Sequence, residues 1–369
     1  MILDLIIPLK KLLFPGIQKP VYLINFVTNS CNASCEHCFY WKELNSNKKN
    51  ELSVDEHKKI AKSLGKMLQI TFTGGSPELR KDLPKIVYQY YKYCKPVNMT
   101  FCMLGYNTKR IIEHTTEILN ICNGQQITIG LSLDGLYSEH DKYRKLDGLF
   151  DNVLQTINEL NKLKESYHNL RIDIGMVIHG LNINKVEDSA LWVRNNIKID
   201  KLKPILVRGN PLNPDTLDDK CISLYDKIVD KDTEWLMSKT QKKLTIIDKI
   251  IYAKEDVQRN IIKKITQTNT SEIKCSGARE TAVLYPNGNV NGCEMRDDIL
   301  GNLRDYKYNF KKIWFSKAAT KFRNTVGKVD ECYGCYHHCF ISPAIFRTPK
   351  VWVKLIVSLF RLNTKHNSI

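Results

Sequence analysis

No stretch of the chain is apolar over the roughly 18 residues that a membrane-spanning helix requires. The N-terminal run MILDLIIPLKKLLF has its lysines after the apolar part and lacks a small-residue cleavage site, so it does not read as a secretory signal. No internal repeat of fixed period is present, which excludes solenoids and propellers. Acidic residues are scarce: 39 Asp and Glu face 56 Lys and Arg, for a net charge of +17. Such a surplus suits nucleic acid or an anionic membrane surface. The lysines are scattered, however, and no basic stripe is interleaved with aromatics as on an RNA platform, so no nucleic-acid partner is expected. Evenly spread cysteine pairs are lacking too, which excludes a disulfide framework and favours metal ligation for the 12 cysteines.

Most of the cysteines fall into two clusters. Cys31, Cys35 and Cys38 have the spacing C-x3-C-x2-C, just after the apolar run Val21 to Val27. Three thiolates so spaced ligate three irons of a cubane and leave the fourth iron open. With His37 the same residues would also make a Cys3His zinc knuckle. The second cluster reads C-x12-G-x4-C from Cys275 through Gly288 to Cys293, then C-x2-C-x3-C at Cys332, Cys335 and Cys339. Taken alone, a zinc ribbon explains it equally well. Cys94, Cys102, Cys122 and Cys221 stand outside both and read as buried thiols.

The 369 residues suffice for one large barrel and a smaller domain. Short apolar runs mark strands at Val21 to Val27, Leu68 to Phe72, Val97 to Met103, Gln126 to Leu133, Leu170 to Val177 and Ile205 to Arg208. Helix-period segments separate them, such as Ser53 to Leu64, where Ser53 and Glu56 form a capping box, and Asp151 to Leu163. That alternation predicts parallel β/α units, with functional residues at the C-terminal strand ends.

The first cysteine loop resembles that of the radical S-adenosylmethionine (SAM) enzymes. The second set resembles their SPASM and shortened twitch extensions. Thr73-Gly74-Gly75-Ser76-Pro77, Leu131-Ser132-Leu133-Asp134-Gly135 and His140-Asp141-Lys142-Tyr143-Arg144 match further family stretches. The resemblance implies an α/β fold, a partial (β/α)6 barrel with a small Cys-rich α+β C-terminal extension. It divides the chain into an N-terminal extension (1–19), the barrel (20–230), a helical bridge (231–271), an iron–sulfur domain (272–340) and a basic apolar tail (341–369).

It also implies the cofactors. A [4Fe-4S] cluster would sit on Cys31, Cys35 and Cys38, with SAM on its open iron. One auxiliary cluster, a second [4Fe-4S], would sit on Cys275, Cys293, Cys335 and Cys339, with Cys332 as the alternative ligand. SAM contacts are expected from His37, Gly74, Gly75, Ser76, Ser132, Asp134, Arg144 and Arg208. No catalytic residue beyond the triad is assigned. The implied reaction is reductive cleavage of SAM to a 5′-deoxyadenosyl radical that takes hydrogen from a peptide, a carbohydrate or a lipid-linked small molecule. A low-potential donor of ferredoxin or flavodoxin type would supply the electron in the cytoplasm.

Two positions depart from the family pattern. Ser76 stands where a Glu is usual, and Met103-Leu104-Gly105 where Thr-Asn-Gly is common. The alternative is therefore a degenerate iron–sulfur scaffold with weakened SAM binding. Few residues precede the first strand, so no leader-recognition domain is expected. The tail Val351 to Leu362 suits either packing on the barrel or peripheral contact with an anionic membrane.

Overall fold

The computed structural model describes residues 18–46, 50–239 and 246–364. Leu9 to Phe14, singled out for their apolar character, lie outside them. Six parallel strands run in chain order across one sheet: β1 Tyr22–Thr28, β2 Gln69–Gly74, β3 Asn98–Met103, β4 Gln126–Ser132, β5 Leu170–Ile178 and β6 Lys201–Leu206. The helices between them are α1 Val54–Leu64, α2 Leu83–Cys94, α3 Thr108–Ile121, α4 Ser138–Arg144, α5 Leu149–Ser166 and α6 Val186–Asn196. This is the partial (β/α)6 barrel.

Strand alternation builds its two faces. Ile70, Phe72, Met99, Phe101, Ile127 and Ile129 turn toward the helices and are fully buried. Phe72 stacks on Phe101 with ring centroids 5.0 Å apart. The opposite parity carries Thr71, Thr73, Thr100, Cys102 and Thr128, so the lumen side is polar.

β6 begins and ends earlier than its apolar residues suggested. Lys201 and Lys203 lie inside the strand and hide it from a hydrophobicity reading. Lys201 Nζ meets Glu255 at 2.7 Å, and Lys203 Nζ meets Asp173 at 2.5 Å. Arg208 consequently sits two residues beyond the strand's end.

Two helices follow, α7 Lys220–Lys239 and α8 Ile246–Thr268. Ala253, Val257, Ile261, Ile262 and Ile265 of α8 are buried. Its Glu255 reaches β6, its Lys254 donates to Ser342 Oγ at 3.1 Å, and its Gln258 donates to the His338 carbonyl at 3.0 Å.

The C-terminal module continues the barrel's sheet. β7 Thr281–Leu284 pairs in parallel with β1, opposite β2. β8 Asn289–Asn291 and β9 Ile299–Asn302 add antiparallel, completing nine strands among the described residues. Gly288 turns the β7–β8 hairpin at φ +91°. The remaining helices are α9 Phe310–Trp314, α10 Lys317–Thr325, α11 His338–Arg347 and α12 Pro349–Thr364. The tail thus forms a helix, which packs along α8. Among the described residues, no helix is long and apolar enough to cross a membrane.

One carboxylate ties the module to the first β/α unit. Glu56 completes the capping box with Ser53, and it also accepts from Arg304 Nε at 2.7 Å and Tyr308 Oη at 2.9 Å. Burial would push its carboxyl up; the bonds from Arg304, the Ser53 amide and Tyr308 outweigh burial and hold it at about 2. A carboxylate depressed by folding contributes stability above its unfolded value and loses it as pH falls through the folded one. We therefore expect Glu56→Gln to cost about 1–2 kcal/mol at neutral pH, after allowance for solvent at the partly open rim. Urea unfolding should show the difference from wild type intact above about pH 4.5 and shrinking toward about pH 2. A pH-independent difference would mean that packing, not the ion pair, carries the contact.

Candidate functional site

The barrel mouth is organised around the loop that leaves β1. Thr28 Oγ1 and the Asn29 amide both donate to Glu51 Oε1, at 2.6 and 2.8 Å. The ends of β1 and β2 approach very closely. A Cβ on Gly74 would lie 2.2 Å from the Thr28 carbonyl oxygen, and one on Gly75 would lie 2.2 Å from that of Ser30. These glycines therefore serve contact between the cysteine loop and β2, whatever else approaches them.

Cys31, Cys35, His37, Cys38, Gly74, Gly75, Ser132, Arg144 and Arg208 line one cavity of about 230 Å³ at the C-terminal strand ends. Two expected members stand behind its wall. Ser76 is buried, and its amide donates to the Ser30 carbonyl at 2.7 Å. Asp134 is fully buried, and the Val177 amide donates to its Oδ1 at 2.8 Å.

Asp134 holds Arg144. Both Nε and Nη2 of Arg144 lie 2.7 Å from Asp134 Oδ2, while Nη1 points to Cys35 Sγ at 3.7 Å. Burial would push the Asp134 carboxyl up; the Arg144 guanidinium outweighs it and holds it well below the usual carboxylate range. His37 Nε2 is 3.6 Å from the same carboxylate, and His37 stacks on His179 at 4.8 Å. Burial lowers these histidines to about 3 and about 4. His37, Asp134 and His179 lie close enough to suggest a metal site. The Arg144 cation already occupies that carboxylate, so the group is an ion pair with two neutral rings beside it. His179, for which the sequence named no partner, belongs to this wall.

The two departures from the family pattern meet at Glu78. Its buried carboxylate Oε1 accepts from the amides of Leu104 and Gly105, at 3.1 and 3.4 Å. Its Oε2 has no hydrogen-bond partner among the described residues. Glu78 thus clamps the end of β3 to the turn after β2 through backbone bonds, without the side chains of a Thr-Asn pair.

Sulfur-directed donors sort the cysteines. The backbone amide two residues on favours the thiolate of Cys31 (Ala33), of Cys38 (Tyr40) and of Cys335 (His337). Amides so placed hydrogen-bond to Cys275 from Gly277 and to Cys293 from Met295, each at 3.3 Å. Cys35 receives Arg144, and Cys332 receives Arg296 Nη1 at 3.9 Å. Among the described residues, no amide or guanidinium bond reaches the sulfur of Cys339. Its charged neighbours are Glu294, Arg208 and Lys203, and the Cys102 thiol is also near. Charge on Cys335 and Cys332 bears on Cys275, and charge on Cys275 and Cys335 bears on Cys293. Burial pushes Cys31 up to about 11, and Cys38 and Cys275 up to about 12, so these thiols keep their protons until a metal displaces them. The donors fit sulfurs that carry negative charge, as cluster ligands do.

Barrel and module meet at the cavity rim. Glu294 Oε2 lies 2.6 Å from His337 Nε2 and 3.4 Å from Arg208 Nη2. Tyr336 Oη donates to the Val207 carbonyl at 2.7 Å, and the Arg208 guanidinium lies over the Phe39 ring at 5.2 Å. Gly209 is required there: at φ +70° its Cβ would come 3.0 Å from Met295 Sδ. Sequence reading missed Glu294 and His337, although each adjoins or closely neighbours a module cysteine.

Removing one partner of a buried pair leaves the other charge uncompensated. Asp134→Ala should therefore destabilise the cofactor-free chain by about 3–5 kcal/mol in urea unfolding. A loss under about 1 kcal/mol would show that Arg144 is held by other groups.

Comparison with known proteins agrees with this architecture. Residues 25–193 match the Radical SAM superfamily, and residues 275–336 match the SPASM iron–sulfur cluster-binding domain. The Fe-coproporphyrin III synthase of Methanosarcina barkeri is 27% identical over 182 residues, which are 49% of this chain and 42% of that protein. The chain therefore spans less than half the length of that relative. The mycofactocin maturase MftC of Mycobacterium tuberculosis is 22% identical over 335 residues, covering 88% of this chain and 77% of its own. The structure of Streptococcus suis SuiB bound to S-adenosylmethionine has the same fold, with a TM-score of 0.58 at 16% identity over 85% of this chain and 70% of SuiB. SuiB is also known bound to its precursor peptide SuiA. The chain belongs to the radical SAM superfamily and carries a SPASM iron–sulfur cluster-binding extension.

Proposed function

We propose that the chain is a radical SAM enzyme that modifies a peptide, with the [4Fe-4S] cluster on Cys31, Cys35 and Cys38 and one auxiliary cluster on Cys275, Cys293, Cys332 and Cys335. The observation that carries this ligand set is the distribution of donors over the sulfurs, which serves three cysteines at the mouth and four in the module. It favours Cys332 over Cys339, the reverse of the preferred pairing drawn from spacing. When bound, the cluster and SAM supply a 5′-deoxyadenosyl radical that takes hydrogen from the substrate.

The chain's own residues hold and orient. Arg144, anchored on Asp134, presents its guanidinium to Cys35 and to the cavity, where it can take the SAM carboxylate. His37 and Ser132 line the same space for the rest of SAM. Glu78 braces the pocket where Ser76 and Leu104 depart from the pattern, which supports a working enzyme over a scaffold. Arg208, Glu294 and Phe39 form the rim that substrate meets. Peptide is the favoured substrate because MftC, which the chain matches through barrel and module alike, is named a maturase, and SuiB holds a precursor peptide. A low-potential ferredoxin or flavodoxin in the cytoplasm is the proposed electron donor.

Anaerobic reconstitution should give about eight irons per chain, falling to about four when Cys31, Cys35 and Cys38 are all replaced by Ala. Cys332→Ala should lose auxiliary iron, and Cys339→Ala should keep it. The reduced enzyme should form 5′-deoxyadenosine from SAM, faster with the peptide of a short neighbouring reading frame. Full iron in the triple variant, or zinc alone in the wild type, would overturn the assignment.

A further inference from the structure

The helix α12 has three faces. Val351 and Ser358 are buried against the body, and Ser358 Oγ donates to Asp256 of α8 at 2.8 Å. At 100° per residue, Lys350 and Lys354 follow on one flank. The remaining arc holds Trp352, Val353, Ile356, Val357 and Phe360, which are between 40% and 67% exposed. Ile250 and Ile251 of α8 are also exposed. Large side chains scattered singly over a surface are ordinary; a contiguous helical arc of five marks a contact surface.

Charge selects the occupant. From Tyr333 to Ile369 the chain contains no Asp or Glu, while Arg347, Lys350, Lys354, Arg361 and Lys365 are basic. Lys354 pairs with Glu272, and Arg347 with Glu280, at the edge of the packed face. An isologous dimer through α12 would bring the cationic flank against its own copy. An anionic lipid surface meets that flank with opposite charge and takes the apolar arc into its headgroup boundary. Trp352 suits that depth, with an apolar ring and a polar tip; its Nε1 already donates to the Phe346 carbonyl at 2.9 Å.

We propose that α12 docks the protein peripherally on an anionic membrane, lying in the headgroup plane. Phe346, just before α12, packs with Val21 and Leu68 at the N-terminal strand ends, opposite the cavity mouth. The proposal takes from the functional reading only the leaflet, the cytoplasmic one.

Flotation of the purified full chain with phosphatidylcholine vesicles, with and without phosphatidylglycerol, tests it without any cofactor, so its failure is separable from failure of the enzymatic reading. The wild type should bind the phosphatidylglycerol vesicles and release in high salt. Val353→Asp combined with Ile356→Asp should weaken binding by at least about tenfold, and Lys350→Glu should weaken it by several-fold, both with an unchanged thermal melt. Failure of the wild type to bind, or equal binding by the double variant, would overturn the proposal. So would a solution dimer that the double variant dissolves, which would assign the arc to a second copy. Binding by the full chain that is lost in a chain starting at Gln18 would also overturn it, assigning the membrane contact to residues 1–17.

Discussion

A carboxylate and a guanidinium leave water together only if each finds its partner, because an unpaired buried charge costs several kcal/mol. Asp134 and Arg144 do so directly behind the cysteine loop. The arrangement around them follows from that requirement. Asp134 has one oxygen for Arg144 and one for the Val177 amide, so the end of β4 is fastened to β5. The His140 ring accepts the Asp134 amide at 3.1 Å, and Asn182 donates to the Asp134 carbonyl at 2.9 Å. With its counter-ion secured, Arg144 keeps Nη1 for Cys35, and its backbone carbonyl accepts from Ser34 at 3.2 Å. The pair thereby links the cysteine loop to the strand ends on the far side of the mouth.

What the sequence disclosed follows the range of the interactions involved. The triad spacing is a local property, and so is the strand–helix alternation that gave five of the six barrel strands to within two residues. β6 escaped in part because its lysines are neutralised by Asp173 and by Glu255, the latter 54 residues away in the chain. The auxiliary ligands were ambiguous for a related reason. Cys332, Cys335 and Cys339 lie within one short segment, and nothing in their spacing says which sulfur will receive a donor. Arg296, which reaches Cys332, is separated from it by 36 residues. His179 had no nameable partner because its neighbours, His37 and Asp134, come from other strands' loops.

Extension of the barrel sheet by β7 fixes the cavity rim. Because β7 lies beside β1 in register, from Tyr22 against Thr281 to Asn25 against Leu284, the two cysteine sets share a strand pair rather than a hinge. The rim is correspondingly joint property: Arg208 comes from the barrel, Glu294 and His337 from the module, and all three are joined by one carboxylate. Relative movement of barrel and module would break that buried contact. The rim is therefore built by residues of both parts.

The same reasoning bears on the altered positions at the ends of β2 and β3. Loss of the usual Glu and of a hydrogen-bonding pair after β3 removes polar side chains from the strand ends, and a decaying site would leave the backbone amides there unsatisfied. Instead, the Leu104 and Gly105 amides are both taken up by Glu78, a residue two positions past Ser76 in the same turn. Burial pushes the Glu78 carboxyl up, so keeping it there has a cost. Its unpartnered Oε2 lies in a turn shared with Gly74 and Gly75, and charge on Glu78 bears on Cys31. A costly carboxylate held against the strand end, beside a loop with seated sulfurs, is what a pocket rebuilt around different residues would retain.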